Sequence, residues 1–132
     1  MDATDEQRLG EVLGRFEGVQ AVYLFGSHAD GRARADSDID LAVVAADAAV
    51  RQRKVDMLTA LVEAGFDNLD LVYLDGSDAV LRFHAVRRNR PIFRAPDFDH
   101  GAYFSRALRE YWDLEPLLRV RHAAFRERVL GG

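Results

Sequence analysis

Three short apolar runs punctuate the chain, at residues 19–25 (VQAVYLF), 39–44 (IDLAVV) and 69–74 (LDLVYL). Each is rich in β-branched or aromatic residues and is bounded by Gly, Asp or Ser, the pattern of buried strands. A run of that kind must pair with neighbours, because a lone strand leaves its backbone amides and carbonyls unsatisfied. The chain is thereby committed to a sheet.

The segments around these runs have helical period. Thr4-Asp5-Glu6-Gln7 has the form of a capping box, and Leu9, Val12, Leu13 and Phe16 follow at helical spacing until Gly18, which predicts a helix over 5–17. Asp47 is placed to cap a second helix carrying Val50, Met57, Leu58, Leu61 and Val62 on one face, with Gly65 ending it. Asp75-Gly76-Ser77 turns into a third helix bearing Val80, Leu81 and His84, and residues 91–93 (PIF) predict a short edge strand, where a proline costs no ladder bond. Residues 28–37 and 95–101 show no period and are expected to be loops. From Ala102 onward Phe104, Leu108, Tyr111, Leu118, Phe125 and Val129 recur at alternating spacings of three and four. This predicts a helical tail at about 102–130, bent or broken near Pro116, where an amide donor is missing.

The expected fold class is α/β: a small mixed β-sheet flanked by helices, with a helical C-terminal tail, as one domain over residues 1–132. A net charge of −4 argues against unguided attraction to nucleic acid or to an anionic membrane. The absence of cysteine excludes disulfides and thiolate metal sites and fits a reducing compartment. The acidic N-terminus lacks the basic start and apolar run of a signal peptide, and no stretch is apolar enough to span a bilayer, so a cytoplasmic location is expected.

Acidic residues inside two of the apolar runs carry the chemistry. Asp38 and Asp40 stand two apart at the start of the second run, so a strand points both to one face while Ile39 and Leu41 alternate with them. Their mutual repulsion calls for a cation, and oxygen donors without His or Cys suit a hard ion such as Mg²⁺. Asp70, between Leu69 and Leu71, would be costly to bury without purpose and can face the pair if the second and third strands are neighbours. Three such carboxylates can hold two cations about 4 Å apart, one activating an attacking hydroxyl and one polarising phosphate oxygens. Gly26-Ser27 ends the first run; a glycine there lets the backbone approach a phosphate while the amides and the serine hydroxyl donate to it. No Walker A loop or dinucleotide fingerprint is present. A Gly-Ser turn or an Asp-x-Asp pair alone is commonplace; the order strand, Gly-Ser, loop, Asp-x-Asp strand, helix, acidic strand is what points to phosphoryl transfer.

That arrangement, in the string GSHADGRARADSDIDLAVV followed by NLDLVYL, resembles the signature of the DNA polymerase beta-like nucleotidyltransferase superfamily. The resemblance continues through LRFHAVRRNRPIF and YFSRALREYWDLEPLLRVRHAAF and is similar to the MntA-type minimal nucleotidyltransferase (MNT) antitoxins, encoded beside a HEPN-domain ribonuclease toxin. It implies that Asp38 and Asp40 ligate the metals, that Asp70 completes the site and helps deprotonate the acceptor hydroxyl, and that Gly26 and Ser27 hold the triphosphate. It also implies transfer of AMP from ATP to a tyrosine of a cognate HEPN toxin. Two other readings are open: an antitoxin that masks its toxin by binding, and an enzyme acting on a small acceptor such as an aminoglycoside.

Weaker signals surround this core. Arg32 and Arg34 lie between the serine and the aspartates, within possible reach of a triphosphate, although a solvated loop explains them equally well. His28 stands where such relatives often carry arginine. Arg82, Arg87, Arg88, Arg90 and Arg94 form a basic cluster that reads more simply as an exposed helix face than as a phosphate or partner contact. Tyr103, Phe104, Tyr111 and Trp112 are candidates for the core or for a partner surface. The four histidines show no zinc spacing.

Overall fold

The computed structural model describes residues 2–26, 38–76, 78–88 and 90–130, with side chains in the last helix described to residue 114 and at 116. Helix α1 (Ala3–Gly14) leads into strand β1 (Val19–Phe25) and strand β2 (Ile39–Ala45) follows. Two short helices, α2 (Ala48–Arg51) and α3 (Lys54–Glu63), precede β3 (Leu69–Tyr73); α4 (Ala79–Val86), β4 (Pro91–Arg94) and α5 (His100–Leu130) complete the chain. The four strands form one mixed sheet in the order β3-β2-β1-β4, with β1 antiparallel to both β2 and β4 and β2 parallel to β3.

The alternation of the strands sends two apolar sets to opposite faces. On the first face Val22 and Leu24 of β1, Ile39, Leu41 and Val43 of β2 and Leu71 of β3 pack against Leu9 and Leu13 of α1 and Met57 and Leu61 of α3. Glycines let α1 come close to the edge strand: a Cβ at Gly10 would overlap the Ile92 carbonyl, and one at Gly14 the Phe93 ring. On the second face Ala21, Tyr23, Ala42 and Val44 meet Leu74, Ala85 and Val86 around α4, and Ala107 of α5.

Several expected boundaries shift for local reasons. Helix α1 is capped by Asp2, whose carboxylate accepts from the Asp5 amide at 2.9 Å, so the helix starts two residues earlier than the Thr4 box predicts and ends at Gly14. Asp47 caps as expected, accepting from the Ala49 and Val50 amides, but the predicted second helix is two helices, interrupted at Gln52 and Arg53. Within the second of them Met57 and Leu61 are buried, whereas Val62, next to Leu61 and so turned about 100° around the helix, is largely exposed. The cap of α4 is Asp78, accepting from Leu81, and its buried residues are Ala79, Ala85 and Val86, with His84 turned to solvent. The edge strand is where the proline predicts it. Helix α5 begins earlier than expected and runs through Pro116 without interruption.

Helix α5 is fastened to α4 by charge and by aromatic stacking. Arg82 donates to Glu110 through Nε and Nη2 at 3.1 and 2.8 Å, and the Phe83 and Tyr111 rings stack at 3.9 Å. Tyr103 and Phe104 pack onto the second core, so the aromatic group is largely internal; Trp112, 58% exposed, is the exception. Among the described residues no helix is long and apolar enough to cross a membrane.

Candidate active site

The site is built at one end of the second sheet face. Parallel pairing aligns Ile39 with Leu69, Asp40 with Asp70 and Leu41 with Leu71. Asp40 and Asp70 are therefore register partners, and both belong to the face that carries Ala42 and Val72 one pleat further along. They lie beyond the cover of that core: Asp40 is half-buried and Asp70 exposed. Asp38 immediately precedes β2 and is exposed.

Two backbone features fix this alignment. The Ile39 amide donates to the Asn68 carbonyl at 2.7 Å, closing the ladder one residue ahead of Leu69. Asn68 holds φ at 53°, the left-handed region that asparagine tolerates better than other side chains. This residue was missed as a positioning element; an asparagine directly before an apolar run was the available signal.

Gly26 supplies the third feature. Strand β1 pairs with β2 through Phe25 and Asp40, so the chain leaves β1 beside the carboxylate. Gly26 turns there at φ +72°, and a Cβ on it would overlap the Asp40 carboxylate, with Cγ only 3.2 Å away. The glycine is thus required twice, by its backbone angle and by the proximity of an acidic side chain. Ser27, His28, Arg32 and Arg34 lie outside the described residues.

The structure therefore brings Asp40, Asp70 and Gly26 together and leaves Asp38 at the rim. Among the described residues no group of three or more His, Asp or Glu side chains is gathered tightly enough to hold a metal. In donor chemistry the site fits a hard divalent cation: two adjacent carboxylates, a third two residues upstream, and no nitrogen or sulfur donor among the three.

One pleat further along the same face, where Tyr23 pairs with Ala42, lies a different environment. Tyr23 is fully buried and its hydroxyl is 2.7 Å from His100 Nδ1, with the Tyr103 ring stacked beside it. Burial raises the Tyr23 hydroxyl well above its usual range, reinforced by Tyr103 and opposed by Arg94. Burial likewise pushes the Tyr103 hydroxyl up to about 12, with Asp75 adding to the rise and Arg82 and Arg106 opposing it. The basic cluster is divided: Arg82 faces Glu110, whereas Arg90 bonds Glu6 at 2.6 Å.

Comparison with known proteins places this geometry. The chain is 33% identical over 75 residues to the protein adenylyltransferase MntA of Shewanella oneidensis, a match covering 57% of this chain and 54% of that protein. The match thus spans about half the length of that curated relative. A crystal structure of a toxin-antitoxin with AMP-PNP superposes with a TM-score of 0.73 at 23% identity, covering 95% of this chain and 98% of the other. The MNT antitoxin in complex with tri-AMPylated Shewanella oneidensis HEPN toxin is similar at a TM-score of 0.69 and 23% identity, with the same coverage of 95% and 98%. At such identity these likenesses establish the shared fold. A polymerase beta nucleotidyltransferase family model matches residues 7–97, a stretch holding all four strands and all three aspartates. The chain belongs to the polymerase beta nucleotidyltransferase family.

Proposed function

We propose that this protein is an antitoxin that transfers AMP from ATP to a tyrosine hydroxyl of a cognate HEPN ribonuclease toxin, with Mg²⁺, in the cytoplasm. The observation that carries the reading is the alignment of Asp40 with Asp70 at an open sheet end, with Gly26 against Asp40. The likeness to MntA and to antitoxins in HEPN complexes supports the choice of donor and acceptor.

In this reading the acceptor oxygen attacks the α-phosphorus of ATP in line, forming the new P–O bond as the bond to the β-phosphate oxygen breaks and pyrophosphate leaves. Asp70, exposed on the outermost strand, accepts the hydroxyl proton. Gly26 lets the backbone approach the phosphates, and Ser27 donates to them from its hydroxyl and amide. Asp38, Asp40 and Asp70 would hold Mg²⁺, which when bound offsets the charge of the triphosphate and polarises its oxygens.

The test is incubation of the protein with labelled ATP, Mg²⁺ and the product of the neighbouring gene. Label on a tyrosine of that product is the expected result, and no transfer counts against the reading. Transfer to an aminoglycoside instead would change the acceptor and keep the chemistry. Undiminished neutralisation in cells by Asp38→Ala with Asp40→Ala would favour masking over modification.

A further inference from the structure

We propose that the end of the sheet remote from the aspartates holds a binding site for a small organic anion, an apolar or aromatic body carrying one carboxylate or one phosphate monoester. Such a site stands whether or not the protein transfers nucleotides. Val44 lies two pleats along β2 from Asp40, about 13 Å away. A cleft of about 440 Å³ opens there between the sheet and α5, lined by Gln20, Val44, Phe98, Tyr103, Arg106 and Arg109. A second cleft, of about 240 Å³, joins it along α5 through Asp75, Tyr103 and Arg106. The larger of the two has the size of a small-molecule pocket.

The cleft follows from the way α5 is seated. After β4 the Ala95 amide donates to the Gln20 carbonyl at 2.8 Å, which holds the connection against the end of β1. Helix α5 then starts under Asp99, whose carboxylate accepts from the Ala102 amide at 3.0 Å. Tyr103 and Ala107 turn to the second core, while Ala102, Arg106 and Arg109 follow one another at spacings of four and three along a single flank of the helix. Ala102 also lines the cleft, and its short side chain leaves the mouth open.

Acids and arginines both line these clefts, but they are not equally engaged. Asp75 accepts from the Ala45 amide at 2.7 Å, Asp99 caps α5, and Glu110 accepts both the Nε and the Nη2 donors of Arg82. Arg106, 65% exposed, reaches Glu110 only at 4.0 Å, and among the described residues Arg109 has no hydrogen-bond or ion-pair partner. The open capacity of the cleft is therefore donor capacity, and two neighbouring guanidinium groups bind the paired oxygens of a carboxylate or phosphate through several donors at once. Arg94 adds positive charge at this end, as the partner of Ala21, which in turn pairs with Val44. The three fixed carboxylates repel a polyanion, which restricts the ligand to one anionic group. Val44, Phe98 and the Tyr103 ring supply the wall for its apolar body.

The experiment is an NMR titration of the backbone amides of the full chain with naphthyl phosphate and naphthylacetate, using uncharged naphthylmethanol and inorganic phosphate as controls. Both aromatic anions are expected to give saturable shifts at Asp75, Asp99, Tyr103, Arg106 and Arg109, roughly tenfold tighter than either control. The tighter of the two identifies the anionic group as phosphate or carboxylate. The shifts should persist with ATP and Mg²⁺ present. Arg106→Gln/Arg109→Gln should weaken binding roughly tenfold, and Ala102→Glu, which keeps both arginines but sets a carboxylate at the mouth, should weaken it as much; dispersed spectra in both variants would show the fold retained. Inorganic phosphate binding as tightly as naphthyl phosphate would reduce the site to simple ion attraction and overturn the proposal. So would displacement by ATP, which would make the cleft part of the nucleotide site, and so would the absence of saturable shifts or wild-type affinity in both variants.

Discussion

Asp40 and Asp70 face the same way from adjacent positions of the parallel ladder between β2 and β3. Neighbouring strands are about 4.8 Å apart, so the two carboxylates are crowded by the backbone itself. Ala42 and Val72 occupy the next pleat and pack within the second core, which anchors the alignment that brings the acids together.

Replacing either acid should therefore remove activity without removing the fold. Asp40→Asn and Asp70→Asn are each expected to lower nucleotidyl transfer by about a hundredfold or more. Because Asp70 is exposed, its substitution should change unfolding free energy by no more than about 0.5 kcal/mol. Parallel transfer assays and urea melts check both halves, and wild-type transfer by either variant would remove that residue from the site.

Gly26→Ala should damage the same site by another route. The left-handed φ of +72° alone costs an alanine about 1–2 kcal/mol, and its Cβ would meet the Asp40 carboxylate. If that overlap matters, the stability loss should shrink when Gly26→Ala is made in an Asp40→Ala background. A double-mutant cycle measures this coupling, and strict additivity would show that the backbone angle is the whole effect.

Asn68 offers a test of register. Asn68→Gly should be tolerated, whereas Asn68→Val should cost about 1–2 kcal/mol in the left-handed region. It should also reduce transfer beyond what the lost stability explains, because the bond from the Ile39 amide to the Asn68 carbonyl sets the alignment of Asp40 with Asp70. Transfer rates measured well below the melting temperature decide the matter; a rate equal to wild type would separate Asn68 from the site.

The buried tyrosines predict an alkaline limit. Burial favours their neutral form in the folded chain, raising Tyr23 and pushing Tyr103 up to about 12 from the ordinary tyrosine value of 10.0. Below pH 10 the phenols are neutral in both states and their contribution is complete. Above it the unfolded chain releases protons first, so stability falls as pH climbs from 10 toward 12. Urea midpoints across that range should decline in wild type and decline less in Tyr103→Phe; equal slopes would refute the assignment.

The strands and the acidic positions could be read from the sequence because a period of two and an apolar run are local properties. Val19–Phe25 matches the expected span, and the mixed sheet follows the expected class. Helix ends were less legible. The Thr4 box and the Asp2 cap compete for one turn, and the reading of a single helix from the Asp47 cap to Gly65 hides a break at Gln52 and Arg53. Helix α5 passes Pro116 although the residue lacks an amide donor. The neighbourhood of Gly26 and Asp40, and the left-handed turn at Asn68, depend on strand pairing and could not be derived from spacing alone.

The outermost position of β3 has a consequence for what can reach the site. Among the described residues no strand lies outside it, and Asp70 is exposed at that flank of the sheet. A broad, already folded substrate can present one side chain to such a rim without unfolding and without a hinged lid closing over it. Under the proposed function this exposed edge is the side from which the partner toxin would present its tyrosine.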